Sequence, residues 1–484
     1  MTELAYLPAT EIARLIAARE LSAVEVMRHH LARVDQFNPA LNAVVVDARE
    51  RGLLAAARVD AALAKGEAPG VLHGVPMTVK ESYNLAGFAT TWGNPAWREN
   101  VAAEDAVPVA RLEAAGATVF GKTNVPISLA DFQSYNEVYG TTNNPYDLSR
   151  VPGGSSGGSA AALAAGLSAL EIGSDIGGSI RNPAHYCGVF GHKPTWNLLW
   201  NRGHSGPGDV RAMPDISVIG PLARSAGDLE AALRILAEPD PIIARGYRLN
   251  LPEFPQGGLR NLRVALWRED AMCPVSADVS ARLDRVARLL EAAGAEIDDQ
   301  ARPDFSSAHS HSIYQTLLQA AMAARMPDTA YTNLRAHVAH LDPADDSPAA
   351  RVFRAQVASH RDWLQANEAR HKLRWQWHRF FERFDIVLMP VMSTSAFPHD
   401  QRPFGERCTD VDGQMIPYFD QVFWAGLAGV AHLPSTVIPT GPDAAGLPIG
   451  VQIVGPEYGD LITLGVAREL ETAGCRFLPP PDYA

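Results

Sequence analysis

Short apolar runs alternate with longer stretches of helical periodicity along most of the chain. Apolar side chains at every second position of residues 75–79 predict a half-buried strand. A strand predicted at 263–267, a helix at 276–294 and a strand at 295–297 follow one another further along. Strands that alternate with helices are typical of α/β proteins. Strand patterns continue as far as Gly455, so we predict one large α/β domain that spans all 484 residues.

Residues 306–384 differ from the rest of the chain in their pattern. They predict helices throughout and contain many Arg, His, Gln and Trp residues. We interpret this segment as a helical insertion within the domain that flanks the functional site. Residues 385–390, DIVLMP, return to an apolar run that is typical of a buried strand.

The candidate functional stretch is residues 152–194, PGGSSGGSAAALAAGLSALEIGSDIGGSIRNPAHYCGVFGHKP. Its first cluster places glycines around Ser155 and Ser156, and glycine lets the backbone approach a ligand closely. The alanine-rich run that follows predicts a helix, and the apolar residues 167–172 predict a short strand leading to a second cluster. Because Ser179 follows two glycines there, we expect unshielded backbone N–H donors beside a hydroxyl, as in an oxyanion hole.

These motifs resemble those of the amidase signature family. The serine of GSDIGGSIR stands 24 positions after the first serine of GGSSGGS, and HGVPMTVKES supplies the upstream lysine. The resemblance extends from about Leu21 to the GLPIGVQIVG motif at Gly446. It implies that Ser179 is the acyl-accepting nucleophile, Ser155 a bridging serine preceded by a cis peptide bond, and Lys80 the base. It also implies a central mixed β-sheet covered by helices on both faces.

The chemistry of the residues supports these roles. A serine hydroxyl needs a base before it can act as a nucleophile, and neither glycine-serine cluster contains a histidine. Lysine can be that base only in its neutral form, and an unperturbed lysine has a pKa of about 10.4. Burial lowers a lysine pKa because it disfavours the charged ammonium. Lys80 follows an apolar strand, so we expect a buried amine that takes a proton from Ser179 through Ser155.

Several neighbours of the predicted triad are expected to support it. By the resemblance, Asp175 and Arg181 belong to a polar network around the catalytic loop, and Ser156 hydrogen-bonds near the triad without reacting. The backbone amides expected to hold the oxyanion are those of Ile176, Gly177, Gly178 and Ser179.

Two further groups are predicted to border the substrate. Leu129, Ala130 and Asp131 take a position that borders the acyl pocket in the family. Trp196 and Trp200 belong to a bulky apolar patch where many family members have a glycine-containing turn. Trp196 and Trp200 are candidate substrate contacts, because such a patch can line the pocket and favour an aromatic or extended apolar substrate; residues of this kind more often pack in the core.

Residues 116–123, GATVFGKT, match a phosphate-binding pattern, G-x-x-x-x-G-K-[ST]. Residues 117–120 read as a strand rather than as a loop after one, and Pro126 interrupts the helix that should follow. We therefore interpret Lys122 as a solvated or hydrogen-bonded residue at a buried strand end.

Two other motifs, a nucleophile elbow and a histidine pair, lack the neighbouring residues that their functions require. Residues 153–157 and 154–158 match the G-x-S-x-G nucleophile elbow, but DLSRVPG before them does not predict the strand that an elbow requires. His309 and His311 form an H-x-H pair without further placed ligands, so we expect solvated histidines and no metal site.

Composition and charge exclude several classes. The net charge of −12 argues against a nucleic-acid binder, which needs basic surface to neutralise phosphates. Four scattered cysteines fit reduced thiols in a cytoplasmic protein. The N-terminus predicts no signal peptide, and no apolar run is long enough to span a membrane. We expect no cofactor; the expected partners are a small-molecule amide substrate and, as an option, a second copy of the chain in a homodimer.

We therefore expect an enzyme that hydrolyses the C–N bond of a small-molecule carboxylic amide through an acyl-enzyme at Ser179. The same chemistry would cleave esters, aryl acylamides or carbamates. The alternative implied by the resemblance is the A-type subunit of a glutamine-dependent tRNA amidotransferase, and a third option is a non-catalytic binding protein. Activity of the isolated chain on simple amides would distinguish the first from the others.

Overall fold

The computed structural model describes residues 4–208 and 210–484. Its α-helices within these residues are α1 (Ala9–Ala17), α2 (Ala23–Leu41), α3 (Arg49–Ala64), α4 (Val107–Ala114), α5 (Gly157–Ala164), α6 (Arg181–Tyr186), α7 (Ala226–Leu236), α8 (Ala277–Ala292), α9 (Ser307–Ala323), α10 (Asp328–Ala339), α11 (Pro348–Gln356), α12 (His360–Phe381), α13 (Val422–Gly429) and α14 (Asp460–Thr472). Its strands are β1 (Val44–Asp47), β2 (Pro76–Lys80), β3 (Thr118–Thr123), β4 (Tyr135–Asn136), β5 (Gly140–Thr141), β6 (Glu171–Asp175), β7 (Phe190–Lys193), β8 (Val218–Ala223), β9 (Arg263–Leu266), β10 (Glu296–Asp298), β11 (Ile386–Pro390), β12 (Cys408–Val411), β13 (Gln414–Pro417), β14 (Ser435–Pro442) and β15 (Pro448–Val454).

The main sheet of the described chain is mixed. Its strand order is β10–β9–β11–β15–β14–β7–β8–β6. The neighbours β10, β9 and β11 are parallel, whereas every pairing from β11–β15 to β8–β6 is antiparallel. This confirms the α/β fold with a central mixed sheet.

Side chains from opposite faces of the sheet enter two separate cores. Val264 and Leu266 of β9 belong to one hydrophobic cluster, together with residues of α7, α8 and α14. Ala265, which lies between them, belongs to a second cluster with residues of α9, α12 and α13. Successive side chains of a strand point to opposite faces. Helices therefore cover both faces, as predicted.

A smaller sheet, β1–β3–β2, lies beside the edge strand β6. β2 and β3 are parallel, and Lys80 pairs with Thr123 at their shared end. A parallel bridge between Met77 and Leu170 joins β2 to the residues just before β6. The carboxyl end of β2, which carries Lys80, is thereby placed next to the glycine-serine clusters.

Small side chains bring α5 close to its neighbours. Every residue of α5 is buried, and the helix consists only of glycine, serine, alanine and leucine. A Cβ on Gly158 would lie 2.4 Å from the backbone nitrogen of Asn124, so this position requires glycine. The helix therefore packs directly against the chain that leaves β3.

The strand before the second cluster differs from the prediction. We expected it at residues 167–172, but β6 begins at Glu171 and continues through Asp175, including Gly173 and Ser174. Antiparallel pairing with β8 explains the difference, since this long-range ladder includes residues of low intrinsic strand preference. Ser174 thus lies in the sheet and not in the loop after it.

The segment 306–384 is helical, as predicted, and contains α9 to α12. Tyr314, Leu317, Leu373 and Trp377 from this segment are buried in the second core. Its status as an insertion, and the limits 1–484 of a single amidase domain, stay predictions. In the part of the chain that the structure describes, no helix combines the length and the apolar character needed to cross a bilayer.

Candidate active site

The first glycine-serine cluster forms a loop in front of α5. The peptide bond between Gly154 and Ser155 is cis, as the resemblance implied. Asn182 of α6 holds Gly154 by two hydrogen bonds: Gly154 N–H donates to Asn182 Oδ1 at 2.9 Å, and Asn182 Nδ2 donates to the Gly154 carbonyl at 2.6 Å. The same Nδ2 donates to the Gly178 carbonyl at 2.8 Å. One buried amide side chain therefore connects the two glycine-serine clusters.

Lys80 is buried at the end of β2 and contacts three serine hydroxyls. Its Nζ donates to Ser155 Oγ at 2.7 Å, to Ser156 Oγ at 2.9 Å and to Ser174 Oγ at 3.0 Å. Burial lowers the pKa of Lys80 to about 7, although the negative charge of Asp175, and that of Glu171 whenever it is ionised, acts in the opposite direction. About half of the molecules would carry a neutral amine at pH 7. Such an amine can accept a proton from a neighbouring hydroxyl.

Ser179 lies beside this serine cluster. Ser156 N–H donates to the Ser179 carbonyl at 3.1 Å, which joins the two loops directly in front of α5. Ser179 as a whole residue is 7% exposed. Within the described residues its hydroxyl forms no hydrogen bond with the protein. The hydrogen bond between Lys80 and Ser155 is therefore present, whereas Ser155 and Ser179 are not hydrogen-bonded to each other. The Ser179 hydroxyl is free to meet a substrate.

Asp175 and Arg181, predicted as structural support, form a buried ion pair under the second loop. Arg181 Nη2 lies 2.9 Å from Asp175 Oδ1, and Nε lies 3.0 Å from Oδ2. Burial alone would raise the pKa of Asp175, but the charge and hydrogen bonds of Arg181 lower it to about 2. Arg181 also donates to the Ala425 carbonyl and to Gln452 Oε1. The loop is therefore fixed to α13 and β15.

The predicted oxyanion amides are not equivalent. Gly178 N–H donates to Asp175 Oδ1 at 2.9 Å, so this amide is already occupied, contrary to our expectation. The amides of Ile176, Gly177 and Ser179 donate to no other described residue. A Cβ on Gly177 would lie 3.2 Å from a methyl of Val422, so glycine keeps this face of the loop open. Three of the four predicted donors are available.

Tyr314 of α9 contacts the same loop and was not predicted. Its hydroxyl donates to the Ile176 carbonyl at 2.9 Å. The hydroxyl oxygen also lies 3.4 Å from the position of a Cβ on Gly177. The ring packs on Gly426 of α13, where any Cβ would collide with it. The helical segment therefore orients the peptide that carries the free Gly177 amide.

Glu171 is a second residue that the sequence reasoning did not select. Its carboxyl group is buried at the start of β6 and accepts a hydrogen bond from the Thr78 hydroxyl, while its other oxygen has no hydrogen-bond partner among the described residues. Burial raises the pKa of Glu171 to about 8. The group is therefore mostly protonated at pH 7, and it places little negative charge near Lys80.

The residues predicted to border the acyl pocket lie next to the first loop. The Asp131 carbonyl lies 2.4 Å from the position of a Cβ on Gly154. The Asp131 carboxylate accepts from Arg407 Nη1 at 2.7 Å and from the Tyr418 hydroxyl at 2.6 Å. Leu129 and Ala130 precede it and stay partly or fully accessible. The structure thus places this segment beside Ser155, but the Asp131 side chain is committed to its own ion pair.

The two tryptophans are placed elsewhere. Trp196 stacks on His432 with ring centroids 4.5 Å apart, and its Nε1 donates to the Pro214 carbonyl. Trp200 lies under the guanidinium of Arg111, 6.0 Å from it. The structure brings neither ring into contact with Ser179. The apolar pattern in the sequence therefore did not predict where in the fold these two rings would pack.

The other motifs have structural roles. Residues 118–123 are the strand β3, and buried Lys122 donates to the Ala89 carbonyl and to Thr90 Oγ1, so the phosphate-binding pattern forms no loop. No strand precedes the first glycine-serine cluster at 147–153. His309 is exposed, whereas His311 packs against Phe423, so the second histidine is not the solvated residue that we expected. Among the described residues, no three His, Cys, Asp or Glu side chains form a group that could hold a metal ion.

Four residues of the site were not predicted from the sequence: Asn182, Ser174, Glu171 and Tyr314. Weak signals existed for three of them. Asn182 and Ser174 are polar residues within the motifs themselves, and Glu171 is an acid inside an otherwise apolar run. Tyr314 had no local signal, because 138 positions separate it from Ile176.

The fold and site define the class: an α/β enzyme in which a buried lysine meets serines at two glycine-rich loops. The chain belongs to the amidase family, whose model matches residues 25–464. It is 32% identical to the A-type subunit of the glutamyl-tRNA(Gln) amidotransferase of Carboxydothermus hydrogenoformans, covering 97% of both chains. It is 33% identical to an indoleacetamide hydrolase of Bradyrhizobium diazoefficiens, over 96% of this chain and 86% of that protein. A structure of 6-aminohexanoate cyclic dimer hydrolase superposes with a TM-score of 0.80 at 26% identity, covering 99% of this chain and 100% of that one.

Proposed function

We propose that the chain cleaves the C–N bond of a carboxylic amide through an acyl-enzyme at Ser179. The observation that carries this proposal is the contact between the Lys80 amine and the Ser155 hydroxyl, 2.7 Å long and fully buried. Neutral Lys80 takes the Ser155 proton as Ser155 takes the proton of Ser179. The freed Ser179 oxygen attacks the amide carbonyl, and a tetrahedral intermediate forms.

The free amides of Ile176, Gly177 and Ser179 are suited to hold the negative oxygen of that intermediate. The proton then returns through Ser155 to the amine nitrogen, the C–N bond breaks, and the amine leaves. Water adds to the Ser179 ester by the same proton route and releases the acid. Overall, amide and water give acid and amine, and no cofactor takes part in the steps proposed.

The test is covalent labelling combined with hydrolysis. We expect a fluorophosphonate to add one label, and peptide mapping to find it on Ser179. Ser179→Ala should lose the label and the hydrolysis of a panel of aliphatic, aryl and carbamate substrates. The matched control is Ser310→Ala, because Ser310 is buried on α9 and its hydroxyl has no hydrogen-bond partner among the described residues. A label on Ser155 or Ser156 in the unmodified chain would contradict the assignment.

The comparisons support a second candidate, the A-type subunit of a glutamine-dependent tRNA amidotransferase. Several relatives of this name align over nearly the whole chain at 29–33% identity, so the relatives favour this candidate over a free-standing hydrolase. Both candidates cleave an amide at the same serine and use water to release the acyl group; they differ in whether the amine leaves into solvent or a partner protein receives the ammonia.

Two measurements separate the candidates. A hydrolase is expected to turn over simple amides as an isolated chain. An amidotransferase component is expected to release ammonia from glutamine only in the presence of its partner proteins. Turnover of aryl or aliphatic amides without any partner would decide for the hydrolase, whereas glutamine turnover restricted to the complex would decide against it.

Location and assembly belong to the same proposal. All four cysteines are free, and three of them are buried, which supports a reducing, cytoplasmic environment. A homodimer stays a prediction, and sedimentation of the purified chain would test it.

A further inference from the structure

Arg325 is a cation near the site without an acidic partner. It follows the C-cap of α9, and its guanidinium carbon lies 4.4 Å from the centroid of the Trp92 ring. Among the described residues it forms no ion pair and no hydrogen bond, and burial lowers its pKa with no carboxylate acting against this shift. The residue as a whole stays accessible to solvent. A guanidinium that lies over an aromatic ring and has no carboxylate partner has its N–H donors available for an anion.

The other arginines of this region differ from Arg325. Arg181 pairs with Asp175, Arg407 with Asp131, and Arg370 with Asp215. Their charges are neutralised within the protein, and they cannot attract an anionic ligand without losing these partners. Arg325 is the member of this group that can offer all of its donors to a ligand.

Trp92 connects Arg325 to the predicted acyl pocket. The Trp92 carbonyl accepts a hydrogen bond from Ser128 N–H at 2.7 Å. Ser128 leads directly into Leu129–Asp131, and the Asp131 carbonyl contacts the Gly154 backbone next to Ser155. Residues 128–131 therefore connect the serine cluster to Trp92, over which the Arg325 guanidinium lies.

The helix α9 connects the turn that carries Arg325 to the site along the chain. Tyr314 on this helix contacts the Ile176 carbonyl of the loop that carries Ser179. The helix ends at Ala323, and Arg325 lies in the turn directly after it.

We infer that Arg325 binds a carboxylate at the far end of the acyl group, so that the preferred substrates are monoamides of dicarboxylic acids with several methylene groups between the two carbonyl carbons. This inference rests on the proposed function. Hydrolysis of such a substrate consumes one water and releases the free dicarboxylate and the amine. Because the chain carries a net charge of −12, an anionic substrate needs a local cation of this kind to remain bound.

The kinetic test compares matched substrates. The 4-nitroanilides of adipic and suberic acid carry a terminal carboxylate, and those of hexanoic and octanoic acid have the same chain lengths without it. We expect a higher kcat/KM for the charged member of each pair. Arg325→Met should lower kcat/KM for the charged anilides by about 10- to 100-fold and leave the neutral ones nearly unchanged, since one charge-assisted contact is lost. Arg325→Lys should retain part of the preference.

The control removes an equal charge elsewhere. Arg288 is exposed on α8, and Arg288→Met should leave the preference for charged anilides unchanged. A preference that survives in Arg325→Met, or an unmodified chain that treats charged and neutral anilides alike, would overturn the inference.

A binding measurement distinguishes a failure of this inference from a failure of the proposed function. In Ser179→Ala, calorimetry should find tighter binding of the adipic than of the hexanoic anilide, and the double variant with Arg325→Met should bind both equally. If the unmodified chain cleaves none of the anilides, this binding difference still supports the anion site while the hydrolase proposal fails. Equal binding of both anilides by Ser179→Ala would remove the anion site while cleavage of neutral anilides would leave the hydrolase proposal intact.

Discussion

Two buried lysines stand at the ends of neighbouring strands and have different surroundings. In the parallel pair β2 and β3, Lys122 lies opposite Val79, and Lys80 is the next residue along. Successive side chains of a strand point to opposite faces, so Lys80 and Lys122 lie on opposite sides of the small sheet. Burial lowers the pKa of both, to about 7 for Lys80 and about 8 for Lys122.

The difference lies in what each amine contacts. Lys80 meets three serine hydroxyls, each of which can give up a proton. Lys122 meets the Ala89 carbonyl, which has no proton to give, and the Thr90 hydroxyl. Burial alone therefore produces a lysine that is neutral part of the time in either place. A base for acyl transfer also requires hydroxyls that lead to a free nucleophile, and only the face with the glycine-serine loops provides them.

The largest expected effect comes from exchanging each lysine for methionine. Lys80→Met should lower kcat/KM by about 1,000-fold, because no other group near Ser155 can take its proton. Lys122→Met should keep kcat in the folded protein and lower the unfolding free energy by roughly 1–3 kcal/mol, since the Ala89 carbonyl and the Thr90 hydroxyl lose their donor. Steady-state kinetics on an amide that the unmodified chain cleaves, together with urea unfolding, measure both effects.

Each variant is the control for the other, because both replace a buried lysine by the same side chain. Similar losses of activity in the two folded variants would mean that the serine contacts of Lys80 have no special role.

The pH dependence should follow the Lys80 amine. In the proposed mechanism the active form is the neutral lysine, so protonation below its pKa of about 7 should remove activity. We expect kcat/KM to fall about tenfold for each pH unit below 7, and to level off above it. Rates measured from pH 5 to 9, with circular dichroism at each pH as a control for folding, test this. A rate that stays constant between pH 6 and 8 would exclude Lys80 as the titrating base.

The variant Glu171→Gln tests whether a charge on Glu171 contributes to this pH profile. Because burial keeps Glu171 mostly protonated at pH 7, the exchange for a neutral amide should leave the midpoint of the profile close to 7. A shift of a full pH unit would mean that Glu171 carries charge beside Lys80.

Motifs and strand patterns were sufficient to locate Lys80, Ser155 and Ser179 in one region, because Lys80 ends a predicted strand, Ser155 precedes a predicted helix and Ser179 follows a predicted strand. They also gave the supporting pair Asp175 and Arg181, six positions apart in one motif. The mixed sheet with two covered faces followed from the resemblance and from the repeated strand–helix order.

Contacts between distant segments could not be predicted in the same way. The short strands β7 and β8 were not predicted, because the glycines and the proline that they contain have low strand preference. They form strands because they pair with each other, with β6 and with β14. The occupied Gly178 amide follows from the turn geometry around Asp175, which composition does not reveal. The position of the Trp196 ring depends on its stacking on His432, a long-range contact that an apolar pattern in the sequence does not reveal.

A smaller loss of rate than that of Lys80→Met is expected at Tyr314, which links the helical segment 306–384 to the loop that carries Ser179. Tyr314→Phe removes the hydroxyl that donates to the Ile176 carbonyl and leaves the ring packed on Gly426. The peptide that carries the Gly177 amide then loses one of its restraints. We expect kcat to fall about tenfold with little change in KM, because the lost restraint matters most when charge develops on the substrate oxygen.

Tyr186→Phe is the matched control for this exchange. Tyr186 is fully buried, and its hydroxyl has no hydrogen-bond partner among the described residues. The same chemical change there should leave kcat unchanged, since no restraint on the loop is lost. If Tyr314→Phe raises KM instead and leaves kcat intact, Tyr314 contributes to ground-state binding rather than to the orientation of the oxyanion amides. If both variants lose kcat equally, the cause is general loosening of the core that the two tyrosines share.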